Sequence, residues 1–421
     1  METRKVSEII WRDDLYPRIE TDPILVQKYA QNLEVLPPIE INQHNQIIDG
    51  WHRWTAHRKN EVEEIPVIIT QTNSDVEFLS LAIKRNSTHG QQMNNKDKRS
   101  MAIRLYNSGV GLSKEAIAET LSVTKRSVSN YLSDIDRQLR EERQAKILEM
   151  WLACYTQEQI AEASDLEQGG NLSNILKDLD KLENFPKGLN LSALYQDDFK
   201  PELFDIWTFA KKTNEVSHFG NTEVRIVDNL LYTFTEPFDI VIDPFAGGGS
   251  TIDICKKRLR RFWVSDRKPI VEREDEIREH DLLNGVSGPY QWGDVALVYL
   301  DPPYWKQAAG KYSDDKEDLA NMSLDDFTNN LTNIISQYGS KLKQGSHIAC
   351  IISPTQWPNE DKTTNYHDID LACTKFDNLR LVRRVICPYS TQQYNGTQVQ
   401  IAKDEKLWLV LSRTMLVWEK I

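Results

Sequence analysis

The chain has 421 residues, and its 51 Lys+Arg against 63 Asp+Glu leave a formal net charge of −12. That sign excludes a globally basic DNA packer, so any contact with nucleic acid has to come from local patches. Hydrophobic residues at 40% and charged ones at 27% exclude wholesale disorder, and the length suits roughly two to four domains of about 100–200 residues each.

In chain order, residues 1–92 alternate short β-like runs with helical stretches. Val35–Ile41 carries Pro37-Pro38, and Ile47-Ile48 reads as a short strand interrupted by Asp49-Gly50. Trp51–Arg58 follows as a helix start, and Pro66–Thr70 reads as another strand, which together make an α/β pattern. From 93 to 182 strand signals vanish and helical periodicity recurs. Gln91–Met150 holds 11 Lys+Arg against 8 Asp+Glu, so this part of an acidic chain is locally basic. Residues 183–200, with Asn184, Pro186, Gly188 and Asn190, read as a linker. From 201 to 421 strands alternate with helices, the texture of a doubly wound α/β domain. The expected strands are Ile240–Ile242, Phe262–Val264, Val295–Leu300, His347–Ile352, Leu381–Val385 and Leu407–Leu411, and Leu324–Leu342 is a helical pattern.

Five cysteines (Cys154, Cys255, Cys350, Cys373, Cys387) make an odd count with no C-x-x-C spacing. That argues for buried reduced thiols, against a disulfide framework, and against any cysteine metal site. Met1 is followed by Glu2-Thr3-Arg4-Lys5 rather than an apolar segment, and no apolar run approaches the ~20 residues that span a bilayer. The expectation is a cytoplasmic protein, in a bacterial cell or a phage-infected host.

Two motifs carry the chemistry. Asp243-Pro244-Phe245-Ala246-Gly247-Gly248-Gly249-Ser250 follows a strand and precedes a helix. Its glycines let the backbone approach a ligand, and Asp266, at the end of the next strand, is placed for ribose hydroxyls. Ile252 stands where a dinucleotide fingerprint needs its third glycine, which argues against NAD. Asp301-Pro302-Pro303-Tyr304 directly follows the apolar strand Val295–Leu300, and strand C-termini are where open α/β sheets place their chemistry.

Together these motifs resemble the amino-methyltransferases of DNA, which use S-adenosylmethionine; the resemblance runs from about Leu203 to Ile421. It implies a Rossmann-like sheet and methylation of an exocyclic amine on a base flipped out of double-stranded DNA, adenine N6 ahead of cytosine N4. Asp301 and the Pro302 carbonyl would accept from the amine, Pro303 would stiffen the loop, and Tyr304 would stack on the base. Asp243, Pro244, Phe245, Ala246, Gly247 and Gly249 would line the cofactor pocket, and Asp266 would bind the ribose. Asp281 reads equally as an acceptor for the cofactor's adenine amine and as a solvated loop acid. Trp207–Phe209 and Ser217–Asn221 stand where the family has a further cofactor segment, but read equally as core and turn. Lys256–Arg261 reads as a solvated helix end rather than a DNA patch. The two motifs are too close for a target-recognition domain between them, and Gln356–Thr364 and Tyr389–Gln400 are polar loops that could touch the base. C5-cytosine chemistry is excluded, because it needs a cysteine after a proline and Cys387-Pro388 has the reverse order.

Ser113–Leu132 resembles a helix-turn-helix, with Ile117, Ala118, Leu121, Val123, Val128 and Leu132 as its core. Lys125, Arg126, Ser127, Ser129 and Asn130 are then candidates for DNA contact. Thr156–Ala163 with Leu166, Leu172 and Leu176 echoes it, either as a second DNA-binding unit or as a packing or homodimer module. Residues 5–95 resemble the ParB/sulfiredoxin-like superfamily through Tyr16-Pro17-Arg18, Leu36–Ile39, Ile48–Arg53 and Arg85–Gly90. Gly50, His52, Arg53 and Asn86 are the matching candidates for a nucleotide or a DNA phosphate. His52 and His89 replace expected arginines, which speaks against nucleotide hydrolysis, and the lack of cysteine excludes sulfiredoxin chemistry. The alternatives are a ParB-type regulator with a non-catalytic methyltransferase domain and an RNA methyltransferase.

Overall fold

Capping residues set the helix starts. Asp22 accepts from the Ile24 and Leu25 amides at the head of α1 (Pro23–Ala30). Asn94 and Asp97 form a capping box on α4 (Asn95–Tyr106). Ser113 and Thr124 cap α5 (Lys114–Thr120) and α6 (Lys125–Tyr131). Each satisfies amides that the first helical turn leaves without partners. The structure is a computed structural model. It describes residues 2–17, 21–88, 94–108, 112–163, 195, 198–209, 223–307, 310, 314–358, 364–369, 371, 374–389 and 394–421.

The chain divides into two units, Met1–Glu142 and Arg143–Ile421. The first holds a four-stranded sheet of order β1-β4-β2-β3, made of β1 (Glu2–Lys5), β2 (Ile39–Ile41), β3 (Ile47–Asp49) and β4 (Glu64–Ile69). Ile39, Ile41, Ile47, Ile65 and Val67 form a core with Trp51 and Trp54 of α2 (Trp51–Lys59). A second core joins α3 (Asp75–Thr88) to the helices that follow it, through Leu79, Ile83, Met101, Leu105, Ile117, Leu121, Val128 and Leu132. The chain crosses from α5 to α6 with Ser122 left-handed at φ 51° and Val123 N donating to the Ala118 carbonyl. The helix α7 (Ser133–Leu152) contains the boundary between the units.

The second unit begins with the end of α7 and α8 (Gln157–Ala163), and its main feature is a seven-stranded sheet of order β12-β13-β9-β8-β5-β6-β7. Its strands are β5 (Ile240–Asp243), β6 (Arg261–Asp266), β7 (Ile277–Glu279), β8 (Val295–Leu300), β9 (His347–Ile352), β12 (Leu379–Ile386) and β13 (Thr414–Lys420). The five strands from β9 to β7 run parallel, and β13 runs antiparallel between β9 and β12. The chain leaves β5 for β6 on one side and returns to β8 on the other, so a switch point lies between β5 and β8. Helices α9 (Val224–Phe234), α10 (Ser250–Lys257) and α11 (Leu324–Lys341) bury their apolar faces in its two cores. A hairpin of β10 (Thr355–Pro358) and β11 (Thr364–His367) follows β9, and α12 (Gly396–Asp404) precedes β13.

Three expectations change. Leu407–Leu411 is not a strand: Leu407 N caps α12 by donating to Ala402, Trp408 is 89% exposed, and the last strand is Thr414–Lys420. Lys256–Arg261 is not a solvated helix end, because Arg258, Arg260 and Arg261 are buried. Arg258 grips both oxygens of Asp228 at 2.9 and 2.8 Å, Arg260 donates to the Thr235 hydroxyl and carbonyl, and Arg261 stacks on Trp151. Tyr389–Gln400 is only partly loop, since α12 begins at Gly396. Cys154, Cys255, Cys350 and Cys387 are buried and unpaired. Cys373, Ser217–Asn221, Leu166, Leu172, Leu176, His89 and Gly90 lie outside the described residues, as does nearly all of the expected linker. Among the described residues, no helix is long and apolar enough to cross a membrane.

Candidate active site

The glycine loop leaves the C-terminal end of β5, and Asp301–Tyr304 leaves that of its neighbour β8. Both strands are continuous apolar runs because both faces of the sheet are covered. Each changes to aspartate where the cover ends.

Asp243 is 3% exposed and accepts from the Thr251 hydroxyl at 2.6 Å and the Phe245 amide at 3.0 Å. Burial, partly offset by these two bonds, pushes its carboxyl up to about 7. Gly249 is left-handed at φ 76°, and a Cβ there would come within 2.9 Å of Arg273 Cδ, so the loop tolerates no side chain at that point. Asp266, at the end of β6, accepts from the Gly247 amide at 3.0 Å and the Lys268 amide at 2.9 Å, which ties the loop to the next strand. Asp281 accepts from the Leu283 amide at 2.9 Å and pairs with Arg267 at 3.1 Å, and Arg267 also pairs with Asp315. It is therefore a tethered acid that keeps acceptor capacity beyond these two contacts.

At the second loop, the Tyr304 hydroxyl donates to Asp301 Oδ1 at 2.9 Å and the Tyr299 hydroxyl to Oδ2 at 3.3 Å. Burial first and Asp301 second raise both phenols well above their ordinary range. The chain beyond is held firmly: Trp305 Nε1 donates to Met322, the Thr355 hydroxyl donates to the Trp305 carbonyl, and Lys306 N donates to Ala320. Tyr389 and Arg413 complete this side. The Tyr389 ring lies 6.4 Å from that of Tyr304, and the Arg413 guanidinium lies 4.2 Å over Tyr389. Neither was singled out as a site residue from sequence, and only the polar character of 389–400 pointed there.

The donor set suits a cationic ligand that also carries hydroxyls. Carboxylates stand at the ends of β5, β6 and β8 around a loop whose backbone can come close. A cleft of about 770 Å³ elsewhere on this unit, lined by Tyr232, Phe234, Arg260, Arg383 and Arg384, includes none of the motif residues. The site is assigned on strand ends and chemistry rather than on cavity size.

A family model for DNA methylases of the N6/N4 type matches residues 45–270, more than half of the chain. The chain belongs to this family. The match takes in the glycine loop and ends before Asp301. The cofactor of this methylase is S-adenosylmethionine. No curated protein sequence matches the chain. Among solved structures, the chain is similar to the chromosome-partitioning protein ParB from Caulobacter crescentus in complex with the centromeric parS site. Identity is 14% over 44% of this chain and 94% of that one, with a TM-score of 0.25. It is also similar to TrmN from Thermus thermophilus, at 13% identity over 47% of this chain and 48% of that one, with a TM-score of 0.27. An S-adenosylmethionine-dependent methyltransferase from Clostridium acetobutylicum gives 10%, 49%, 93% and 0.24 respectively.

In the N-terminal unit, Gly50 heads α2 at φ 102°, where a Cβ would come 2.7 Å from Ile39. The other three candidates for phosphate already have protein partners. Arg53 pairs with Asp49 at 2.8 Å and donates to the Pro37 carbonyl, His52 Nε2 accepts from the Asp22 amide, and Asn86 donates to the Ala82 carbonyl. On α6, Lys125, Arg126 and Asn130 are exposed. Lys125 pairs with Glu115, and Ser127 bonds the capping hydroxyl of Thr124. Ser129 is half-buried.

Proposed function

We propose that this methylase transfers a methyl group to the exocyclic amine of a flipped-out base in duplex DNA, with adenine N6 as its target. What carries the reading is the adjacency of the glycine loop and Asp301–Tyr304 at the ends of neighbouring strands β5 and β8. When bound, S-adenosylmethionine supplies an activated methyl on a sulfonium, so neither a metal nor a covalent nucleophile is required of the protein. Asp243, Pro244, Phe245, Ala246, Gly247 and Gly249 line its place, and Asp266 takes the ribose hydroxyls. Asp281, half-buried and paired with Arg267, offers an acceptor for the cofactor's adenine amine.

The amine of a nucleobase is a poor nucleophile because its lone pair is shared with the ring. Asp301 and the Pro302 carbonyl accept its two N–H groups and restore lone-pair character, so catalysis rests on positioning and electrostatics. Pro303 keeps the loop stiff, and Tyr304 stacks on the base. For the base to be held, the Tyr304 hydroxyl must give up its place on Asp301 Oδ1.

The modules work as residues 1–92, a ParB-like part, and 93–182, a helical DNA-holding part, serving a methyltransferase at 201–421. Lys125, Arg126 and Asn130 on α6 meet phosphates and base edges, with Ser127 and Ser129 beside them. The deciding experiment incubates the full chain with duplex DNA and labelled S-adenosylmethionine, then analyses nucleosides. N6-methyladenine is expected. N4-methylcytosine would overturn the adenine assignment. Label in RNA alone would overturn the DNA substrate, and no incorporation would favour a regulator with a silent methyltransferase sheet.

A further inference from the structure

We propose that Arg413 is a positioning residue for methyl transfer, acting through Tyr304 and Tyr389 on the Asp301 carboxylate. The inference rests on the roles proposed above for Asp301 and Tyr304.

Arg413 stands one residue before β13 and is 5% exposed. Its Nε donates to the Cys387 carbonyl at 3.0 Å, and Cys387 N donates back to the Arg413 carbonyl at 2.8 Å, so the side chain leaves the backbone in one fixed direction. The guanidinium then lies 4.2 Å over the Tyr389 ring, and that ring stands edge-on to the Tyr304 ring at 6.4 Å. Tyr304 donates onward to Asp301 Oδ1. Burial works against the cation, but the Asp301 carboxylate nearby helps to keep Arg413 protonated. A cation this deeply buried is costly unless its surroundings compensate it, and here the Cys387 carbonyl, the face of the Tyr389 ring and the nearby Asp301 carboxylate do so. Arg413 therefore holds the Tyr389 ring, and through it the Tyr304 ring whose O–H reaches Asp301.

This arrangement does two things for the reaction. It keeps the Asp301 carboxylate and the Tyr304 ring in register before DNA arrives. It also leaves the Tyr304 ring beside Tyr389, itself held by Arg413, when the target amine displaces its hydroxyl from Oδ1. The ring can then remain in position to stack on the base.

The test is a double-mutant cycle on the full chain, with duplex DNA and S-adenosylmethionine, reading kcat and both KM values. Arg413→Met should lower kcat roughly tenfold or more, with the cofactor KM within about threefold of wild type. Arg413→Lys should recover part of the loss, because it keeps a donor and a charge. In a Tyr389→Leu background, which removes the ring between Arg413 and Tyr304, Arg413→Met should cost less than about threefold, since the route is already cut. An equal loss in both backgrounds, or a lysine variant no better than methionine, would overturn the inference. Should Asp301→Ala and Tyr304→Ala both retain full kcat, the reading of the site itself fails. If those two lose activity while Arg413→Met does not, only the role of Arg413 fails.

Discussion

Replacing Asp243 by Asn should remove a specific loss of stability that wild type suffers as pH rises. The Asp243 carboxyl is 3% exposed, and burial, against the pull of Thr251 and the Phe245 amide, lifts it from 3.8 to about 7. Below the unfolded value both states hold the proton, and the group's contribution is intact. As pH rises, the unfolded chain releases its proton first, and stability falls until the folded carboxyl also ionises near 7. A rise of about 3 pH units at ~1.4 kcal/mol each puts the full loss on the order of 4 kcal/mol. Asn carries no such proton, and its lost hydrogen bonds add only a pH-independent offset. Urea unfolding of both proteins at about pH 4.5 and about pH 8 should therefore show the gap closing, or reversing, by a few kcal/mol in favour of D243N. Parallel pH curves for the two proteins would refute the reasoning. Because S-adenosylmethionine is cationic, adding it should stabilise wild type more at the higher pH, where the carboxylate is charged.

Three further outcomes follow from the same geometry. Asp301→Ala should lower kcat by about a thousandfold while calorimetry finds the cofactor Kd within about threefold; retained activity would remove Asp301 from the mechanism. Arg258→Met strands Asp228 as a buried charge and should cost about 3–5 kcal/mol in denaturant unfolding. Adding Asp228→Leu should restore much of that loss, and no recovery would mean that the pair is not what fails. Lys125→Ala with Arg126→Ala should weaken DNA binding about tenfold and reduce the salt slope by about 2, with kcat at saturating DNA unchanged. An unaltered slope would take α6 off the DNA.

Much of the fold was legible because the sheet is covered on both faces. Val295–Leu300 and His347–Ile352 are unbroken apolar runs, and their observed strands have the same limits as the expected ones. Glu2–Lys5 and Ile277–Glu279 were not legible, since short edge strands are recruited by backbone pairing and leave no pattern. Leu407–Leu411 misled because apolar composition alone does not say what will be covered. The two motifs were legible as motifs, and their meeting follows from strand order. The fate of Lys256–Arg261 was not, because the groups that bury those arginines, Asp228 and Trp151, lie about 30 and 110 residues upstream. Arg413 was hidden for the same reason: its partners Tyr389 and Tyr304 come from separate loops.

The charge distribution constrains how such an enzyme can hold DNA. Asp243, Asp266 and Asp301 stand at the ends of three adjacent parallel strands, a field that suits a cationic cofactor and repels phosphates. The run Lys256–Arg261 cannot offset that field at the surface, because its three arginines are buried and its two lysines are paired with Glu276 and Asp198. Attraction to the duplex then draws on cations elsewhere, such as Arg383 and Arg384 of this unit or the basic stretch upstream. Gln91–Met150, the locally basic stretch, carries exposed Arg126 and Arg140, and exposed Lys125 and Arg137 that pair with Glu115 and Asp134. An acidic mouth adapted to the cofactor would gain from a separate anchor for a polyanion, the role proposed above for the helices at 93–182. Cutting the chain between the two units should then leave a C-terminal fragment that still binds S-adenosylmethionine, but whose DNA KM rises far more than its kcat falls. A fragment with the DNA KM of the full chain would show that the anchor lies in the methyltransferase unit itself.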